Sequence, residues 1–244
     1  MLSLMLPLPD RHRLATFLRT ARYLAGRALL WFVGLSVASV MSLWLIDPPL
    51  WGVRLERALL PPSRYPDEVR HQWVDLDEIS SNMQLAVIAA EDQRYPHHWG
   101  FDLNAMAAAF KHNERSSRVR GASTLSQQTA KNLYLCSWRS YIRKALEAWF
   151  TLLMELLLSK ERILEIYLNI VEFGPGIYGV EAAAQHYFHT SAARLSRHQA
   201  ALLAAVLPNP YRFNAGAPSG YVQRRANWIA RQMRQLGNDW LQRL

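Results

Sequence analysis

Three short segments concentrate side chains that can move a proton or hold an anion. The first, Glu91-Asp92-Gln93-Arg94-Tyr95-Pro96-His97-His98-Trp99-Gly100-Phe101-Asp102, follows an apolar stripe and sets a carboxylate at its end. A glutamate at that boundary is placed to act as a general base on a hydroxyl. The second runs from Gly121 to Asn132 and contains Ser123, Thr124, Gln127, Gln128 and Lys131. Gln128 lies three residues before Lys131 and four before Asn132, so these three share a helix face. Amides beside a lysine suit a hydroxyl-rich or phosphorylated ligand. In the third, Arg143 and Lys144 stand four and three residues before Glu147, again on one face. Lys131, Arg139, Arg143 and Lys144 could converge on a diphosphate, the arginines through paired hydrogen bonds. Each segment alone also has a plain reading: a helix-end ion-pair cluster, a capped polar surface helix, and an exposed ion pair worth about 0–1 kcal/mol.

Several chemistries are excluded. No Gly-rich phosphate loop, dinucleotide fingerprint or His-Glu-x-x-His metal site occurs, and no Ser-x-x-Lys or Lys-Thr-Gly of an acyl-serine enzyme. One cysteine, Cys136, rules out an intramolecular disulfide framework and a cysteine metal cluster. Asp75-Leu76-Asp77 stands at a helix start, where capping is its simplest use. The net charge of +9 calls for an anionic partner. Beyond the N-terminal tail no dense Lys/Arg block appears, so nucleic acid is not expected.

The elements that must position these residues begin with a membrane anchor. Ala28 to Ile46 is free of charge, and as a helix would be about 28 Å long against a hydrocarbon core of about 30 Å. Trp31 and Trp44 lie near its ends; Arg11, Arg13, Arg19, Arg22 and Arg27 precede it against one acid, Asp10. The positive-inside bias places the N-terminus in the cytoplasm and the rest outside, in a single-pass protein of the inner membrane. A cleaved leader would carry a shorter apolar run and a small-x-small site, which is not the pattern here. Removing the five cations and one acid of residues 1–46 from +9 leaves an exported part at +5. The sequence thus divides into a basic tail (1–27), a membrane helix (28–46), a lead-in (47–74) and a domain (75–244).

That domain reads as helices throughout. Ile79, Met83, Val87 and Ala90 recur at helical spacing, with Asp75 or Asp77 as N-cap. Further helices are expected at 103–112, through Gln127–Asn132 with Ser123-Thr124 as cap, and at 141–158 and 161–168. Three more follow at 179–188, at 197–207 behind the Ser196/Gln199 capping box, and along Val222 to Leu236. Arg115–Gly121 reads as a mobile cationic loop whose Arg118 and Arg120 could meet lipid headgroups. No convincing strand alternation appears.

Taken together, the motifs strongly resemble the peptidoglycan glycosyltransferase family. They are Glu91-Asp-x-x-Tyr-x-x-His98-x-Gly100; Gly121-Ala-Ser-Thr-Leu-Ser-Gln-Gln-x-x-Lys131-Asn132; Arg143-Lys144-x-x-Glu147; Ile163-Leu-Glu-x-Tyr-Leu-Asn169; and Gly174-x-Gly176-x-x-Gly179-x-x-x-Ala183-Ala184-x-x-Tyr187-Phe188. Tyr95 stands where the family usually has Phe, and Leu125-Ser126 where Ile-Thr is common. The missing transpeptidase signatures look like the monofunctional, membrane-anchored form. The resemblance implies an all-α, lysozyme-like domain with a smaller membrane-facing lobe. It implies polymerisation of lipid II, the growing glycan strand serving as donor, with roles in cell-wall synthesis and cell shape. Glu91 matches the first catalytic glutamate and Glu147 the second. The latter's role stays open between orienting Arg143 and Lys144, holding diphosphate through a cation, and stabilising the reacting sugar. Lys131 and Arg139 match diphosphate-contacting cations. Arg143, Lys144, Gln127, Gln128, Asn132, Ser123, Thr124 and His98 complete the implied binding set. No cofactor is implied beyond divalent-cation assistance, and the implied partners are the membrane and cell-wall synthesis or division proteins. Two rivals explain part of the pattern: a lytic enzyme with a lysozyme-like acid, and an inactive membrane-tethered scaffold.

Overall fold

Small polar residues set most helix starts. The computed structural model describes residues 11–63, 65–116, 121–138 and 140–244, with backbone alone for 11–14 and 238. Among these residues ten α-helices form: α1 (Arg11–Ser42), α2 (Gly52–Leu59), α3 (Ser81–Glu91), α4 (Leu103–Arg115), α5 (Leu125–Tyr134), α6 (Tyr141–Leu157), α7 (Lys160–Ile170), α8 (Val180–Phe188), α9 (Arg197–Val206) and α10 (Gly220–Leu236). Ser80, Asp102, Thr124, Ser140, Ser159, Ser196 and Ser219 each accept a hydrogen bond from a backbone N–H of the helix they precede. Such caps satisfy donors that no carbonyl inside the helix can reach. Ser80, rather than Asp75 or Asp77, therefore caps α3; Asp75 precedes a single 3-10 turn and makes no side-chain cap.

α3 is apolar nearly all round, with Met83, Leu85, Ala86, Val87, Ile88 and Ala89 all buried. It packs against α9 and α10, while α5 packs against α6 and α7. A helix without a polar face must lie inside, and this one carries Glu91 out of the core at its last turn. Seven consecutive residues of α9, Ala200–Val206, are likewise buried.

Among the described residues the fold is all-α apart from three strands of two or three residues, which the sequence pattern does not predict. β1 (Arg70–His71) pairs in parallel with β3 (Ile177–Tyr178), and β2 (Glu172–Gly174) pairs antiparallel to β3. Strands this short show no alternation to read. The stretch treated as a lead-in thus contributes β1 to the domain, and α2 forms ahead of it. Gly176 turns the β2–β3 hairpin at φ +70°, and a Cβ there would lie 2.5 Å from Pro66 Cγ.

The apolar N-terminal helix is also shifted from its expected span. Among the described residues α1 spans Arg11–Ser42, and its apolar segment is Ala15–Ser42. Leu43, Trp44 and Leu45 instead bond to the carbonyls three residues back, a tightened last turn ahead of Pro48-Pro49. The end of α1 docks on the domain. Val40 and Leu43 are buried, Trp149 donates to Ser36 Oγ at 3.1 Å, and Arg162 holds the Leu43 carbonyl at 2.8 Å and Asp47 at 2.7 Å. Residues 117–120, with Arg118 and Arg120, lie outside the described residues.

Candidate active site

Glu91 is placed by what surrounds it in sequence. Asp92, the next residue, turns inward: Oδ1 meets His98 Nε2 at 2.9 Å, and Oδ2 accepts the backbone N–H of Leu125 at 3.0 Å. Thr124 Oγ1 donates to the Gly100 carbonyl at 2.6 Å. Gly100 adopts φ +74°, and a Cβ there would fall 2.6 Å from Thr151 Cγ2, so the loop passes this close only as glycine. These contacts tie the end of α3 to the start of α5. One turn into α5, Gln128 Nε2 donates to Glu91 Oε2 at 2.9 Å. The other end of that amide, Oε1, accepts from Tyr167 Oη at 3.4 Å. Burial, then the Glu91 charge, pushes the Tyr167 hydroxyl well above the usual phenol range, so it stays a donor.

Glu91 keeps its second oxygen open. Among the described residues Oε1 is buried without a hydrogen-bond partner, and Arg225 Nη2 lies 3.7 Å from it. The carboxylate borders a cleft of about 450 Å³ whose walls include Gln93, Arg94, Ser123, Thr124, Trp228 and Gln232.

A second hollow of about 310 Å³ adjoins it, lined by Ser123, Gln127, Gln128, Lys131, Ser137, Arg143, Lys144 and Glu147. Ser123 borders both, and Gln128 connects Glu91 to the second. Glu147 is 3% exposed, with Oε2 held by Arg143 Nη1 at 2.7 Å and Oε1 held by Lys144 Nζ. Lys131 forms no ion pair among the described residues. Burial pulls its pKa down, partly countered by Glu147, while Arg143 and Lys144 push it further down. Three cations against one carboxylate leave this hollow short of negative charge, the condition for binding an anion.

The sequence-derived set divides accordingly. Glu91, Glu147, Lys131, Arg143, Lys144, Gln127, Gln128, Ser123 and Thr124 border the two hollows. Thr124 and Gln127 also close a capping box on α5. Asn132, half-buried one turn beyond Gln128, lines neither. His98 is buried, lines neither hollow and meets Asp92 through Nε2. Arg139 lies outside the described residues. Sequence reasoning missed Tyr167, Arg225 and Trp228, and it saw no role for Asp92 although that residue adjoins Glu91. It also missed Glu155, a buried acid bound to Lys160 Nζ at 2.8 Å and to Ser126 beneath the site.

Comparison with known proteins bears on this geometry. A family model described as Transglycosylase matches residues 60–234. The chain is 61% identical to a protein of Aeromonas hydrophila over 219 residues, 90% of this chain and 93% of that one. It is 60% identical to a protein of Shewanella oneidensis over 86% of this chain and 89% of that one. With a protein of Pseudomonas syringae pv. syringae it shares 56% identity over 87% and 91%. All three are named biosynthetic peptidoglycan transglycosylase.

Proposed function

The chain belongs to the transglycosylase family and is a peptidoglycan glycosyltransferase of cell-wall synthesis, and from that premise we propose that it polymerises lipid II with Glu91 as general base. The donor is the growing strand, whose anomeric carbon is α-linked to polyprenyl diphosphate; the acceptor is the 4-hydroxyl of lipid II. Glu91 Oε1 takes the hydroxyl proton as the acceptor oxygen bonds to the donor carbon. The bond from that carbon to the diphosphate oxygen breaks, and its electron pair leaves with the diphosphate. Attack from the opposite face inverts the centre, giving a β-1,4 link.

Lys131, Arg143 and Lys144, with Arg139, neutralise the charge that grows on the departing diphosphate, where preorganised cations act most strongly. The two cations bound to Glu147 support a positioning role for it: it holds Arg143 and Lys144 in place rather than touching the sugar. No cofactor enters this scheme. A divalent cation fits only as a companion of the substrate's diphosphate, because the hollow offers one carboxylate and both its oxygens are already paired. The chain is held in the inner membrane by α1, N-terminus in the cytoplasm and domain outside, where lipid-linked substrate shares its bilayer.

The observation that carries this reading is the juxtaposition of one buried carboxylate oxygen, without a hydrogen bond among the described residues, with an undersatisfied cation hollow. A lytic acid accounts for the first and not for the second, and a scaffold for neither. Glu91→Gln preserves shape and the Gln128 contact while removing the base, so polymerisation of lipid II should fall about 10²–10⁴-fold with the helical circular dichroism unchanged. Retention of more than about a tenth of the wild-type rate refutes the role.

A further inference from the structure

The cations of the second hollow come from two helices, and the chain that joins those helices forms part of its rim. Lys131 belongs to α5, and Arg143 and Lys144 to α6. Between them Ser137 lines the hollow. The two helix ends are closed in the ordinary way: Leu135 N–H bonds to the Lys131 carbonyl at 3.0 Å, and Ser140 Oγ accepts from Arg143 N–H at 3.0 Å. Ser137 stands between these closures.

What holds Ser137 comes from α2. Glu56 directs both carboxylate oxygens at it: Oε2 accepts the Ser137 backbone N–H at 2.7 Å, and Oε1 accepts its hydroxyl at 2.6 Å. Hydrogen bonds to an ionised acceptor are shorter and stronger than neutral ones. One turn earlier on the same helix face, Gly52 lies so close to the connection that a Cβ there would collide with the Leu135 carbonyl oxygen. α2 therefore meets the rim at two points.

Its other contacts fix it to a different part of the domain. Trp51, only 2% exposed, meets Tyr178 of β3 edge-on with centroids 5.5 Å apart. Arg57 Nε lies 3.8 Å from Glu172 Oε2 of β2, and the Arg57 guanidinium lies over the Tyr211 ring at 5.3 Å. A helix seated on the sheet thus reaches across to the rim. No residue of α2 borders the hollow itself, so any effect of Glu56 on the reaction must pass through Ser137.

We propose that Glu56 is a positioning residue for glycosyl transfer: through Ser137 it fixes the rim between α5 and α6, and with it the spacing of Lys131 from Arg143 and Lys144. This rests on the reading that the hollow receives the departing diphosphate. Cations on separate helices can each meet a bound diphosphate after a small adjustment. They stabilise the charge that grows in the transition state only if they are already in place. Loss of the hold on Ser137 should therefore slow turnover more than it weakens binding.

Steady-state polymerisation of lipid II by the detergent-solubilised full-length protein tests this, together with hydrogen–deuterium exchange of peptides containing Ser137. Glu56→Ala should lower kcat about tenfold, leave KM within about twofold and speed exchange at Ser137. Glu56→Gln keeps the size and one acceptor, guards against misfolding, and should fall between wild type and Glu56→Ala. Ser137→Ala keeps the backbone bond, so it should lower kcat less, and it should add nothing in the Glu56→Ala background. Gly52→Ala, which displaces α2 without touching a charge, should also lower kcat, whereas a purely electrostatic role for Glu56 would leave it unaffected. Wild-type kcat in Glu56→Ala, a change in KM alone, or a Ser137→Ala loss that persists in the double variant overturns the proposal. Full turnover by Lys131→Met would refute the reading of the hollow instead. The hold on the rim is judged separately by exchange, and an unchanged Ser137 peptide in Glu56→Ala overturns it.

Discussion

Replacing Gln128 by Glu tests the arrangement around the base more sharply than deleting any group. Gln128 Nε2 lies 2.9 Å from Glu91 Oε2, so the substitution sets two carboxylates in contact. At an effective dielectric of about 20, two unit charges at that distance repel by about 6 kcal/mol. Divided by 1.36 kcal/mol per unit, this corresponds to roughly four pH units, and rotation of the new side chain toward water would reduce it to about two. The pair then shares one proton at neutral pH and cannot accept another from the acceptor hydroxyl. The acidic limb of the kcat/KM profile should therefore climb by about 2–4 units, so that the rate near pH 7 falls and recovers as pH rises. Gln128→Met is the control. It removes a charge-assisted hydrogen bond without adding charge, so the limb should climb, but by less than in Gln128→Glu. A wild-type limb in Gln128→Glu would show that Gln128 does not touch the working base.

Other consequences follow from the same geometry. Because burial lowers the pKa of Lys131, polymerisation should decline on the alkaline side below the ordinary lysine value of about 10.4, and Lys131→Arg should move that decline upward; an unmoved limb refutes the assignment. In substrate-free protein the same shift means that the unfolded chain holds this proton more tightly, so stability should rise with pH through that interval. Lys131→Met should lower kcat more than it raises KM, since the leaving charge grows toward the transition state; a rise in KM alone would mean uniform binding. Asp92→Ala leaves His98 Nε2 and the Leu125 N–H without their shared acceptor, so denaturant unfolding should show a loss of about 2–4 kcal/mol, and an unchanged midpoint would refute the tie between α3 and α5. A chain beginning at Pro48 loses the buried Val40 and Leu43; it should melt earlier and turn over poorly on dilute lipid II in vesicles, and equal turnover would show that sharing the bilayer contributes nothing.

What could be read in the sequence was what local chemistry fixes. Thr124 and Ser196, each three residues before a glutamine, announce capping boxes that do form, because both partners of a cap lie within one turn. The Arg143/Lys144/Glu147 cluster likewise needs only helical spacing, and it closes as expected. The three-stranded sheet was hidden because β1 pairs with a strand more than a hundred residues away, and a pairing of two residues leaves no periodic trace. The end of α1 was misplaced because hydropathy continues to Ile46, whereas the backbone must tighten ahead of Pro48-Pro49.

The cleft follows the same division. Glu91 is recognisable from its motif, but the groups around its two oxygens arrive from distant elements: Gln128 from α5, Tyr167 behind it from α7, and Arg225 from α10. His98, assigned to ligand from its motif, meets Asp92 through Nε2, while its Nδ1 has no hydrogen-bond partner among the described residues. Motif membership reports that a residue type is required at a position; it does not distinguish touching the substrate from holding the residue that does. One flank of α10 is the clearest instance. Val222, Ala226, Ile229 and Met233 declare themselves by period as the buried side, yet the same period makes Tyr221, Arg225 and Trp228 look like an ordinary amphipathic flank. Trp228 and Gln232 lining the cleft, and the approach of Arg225 to Glu91, turn that flank into a wall of the site.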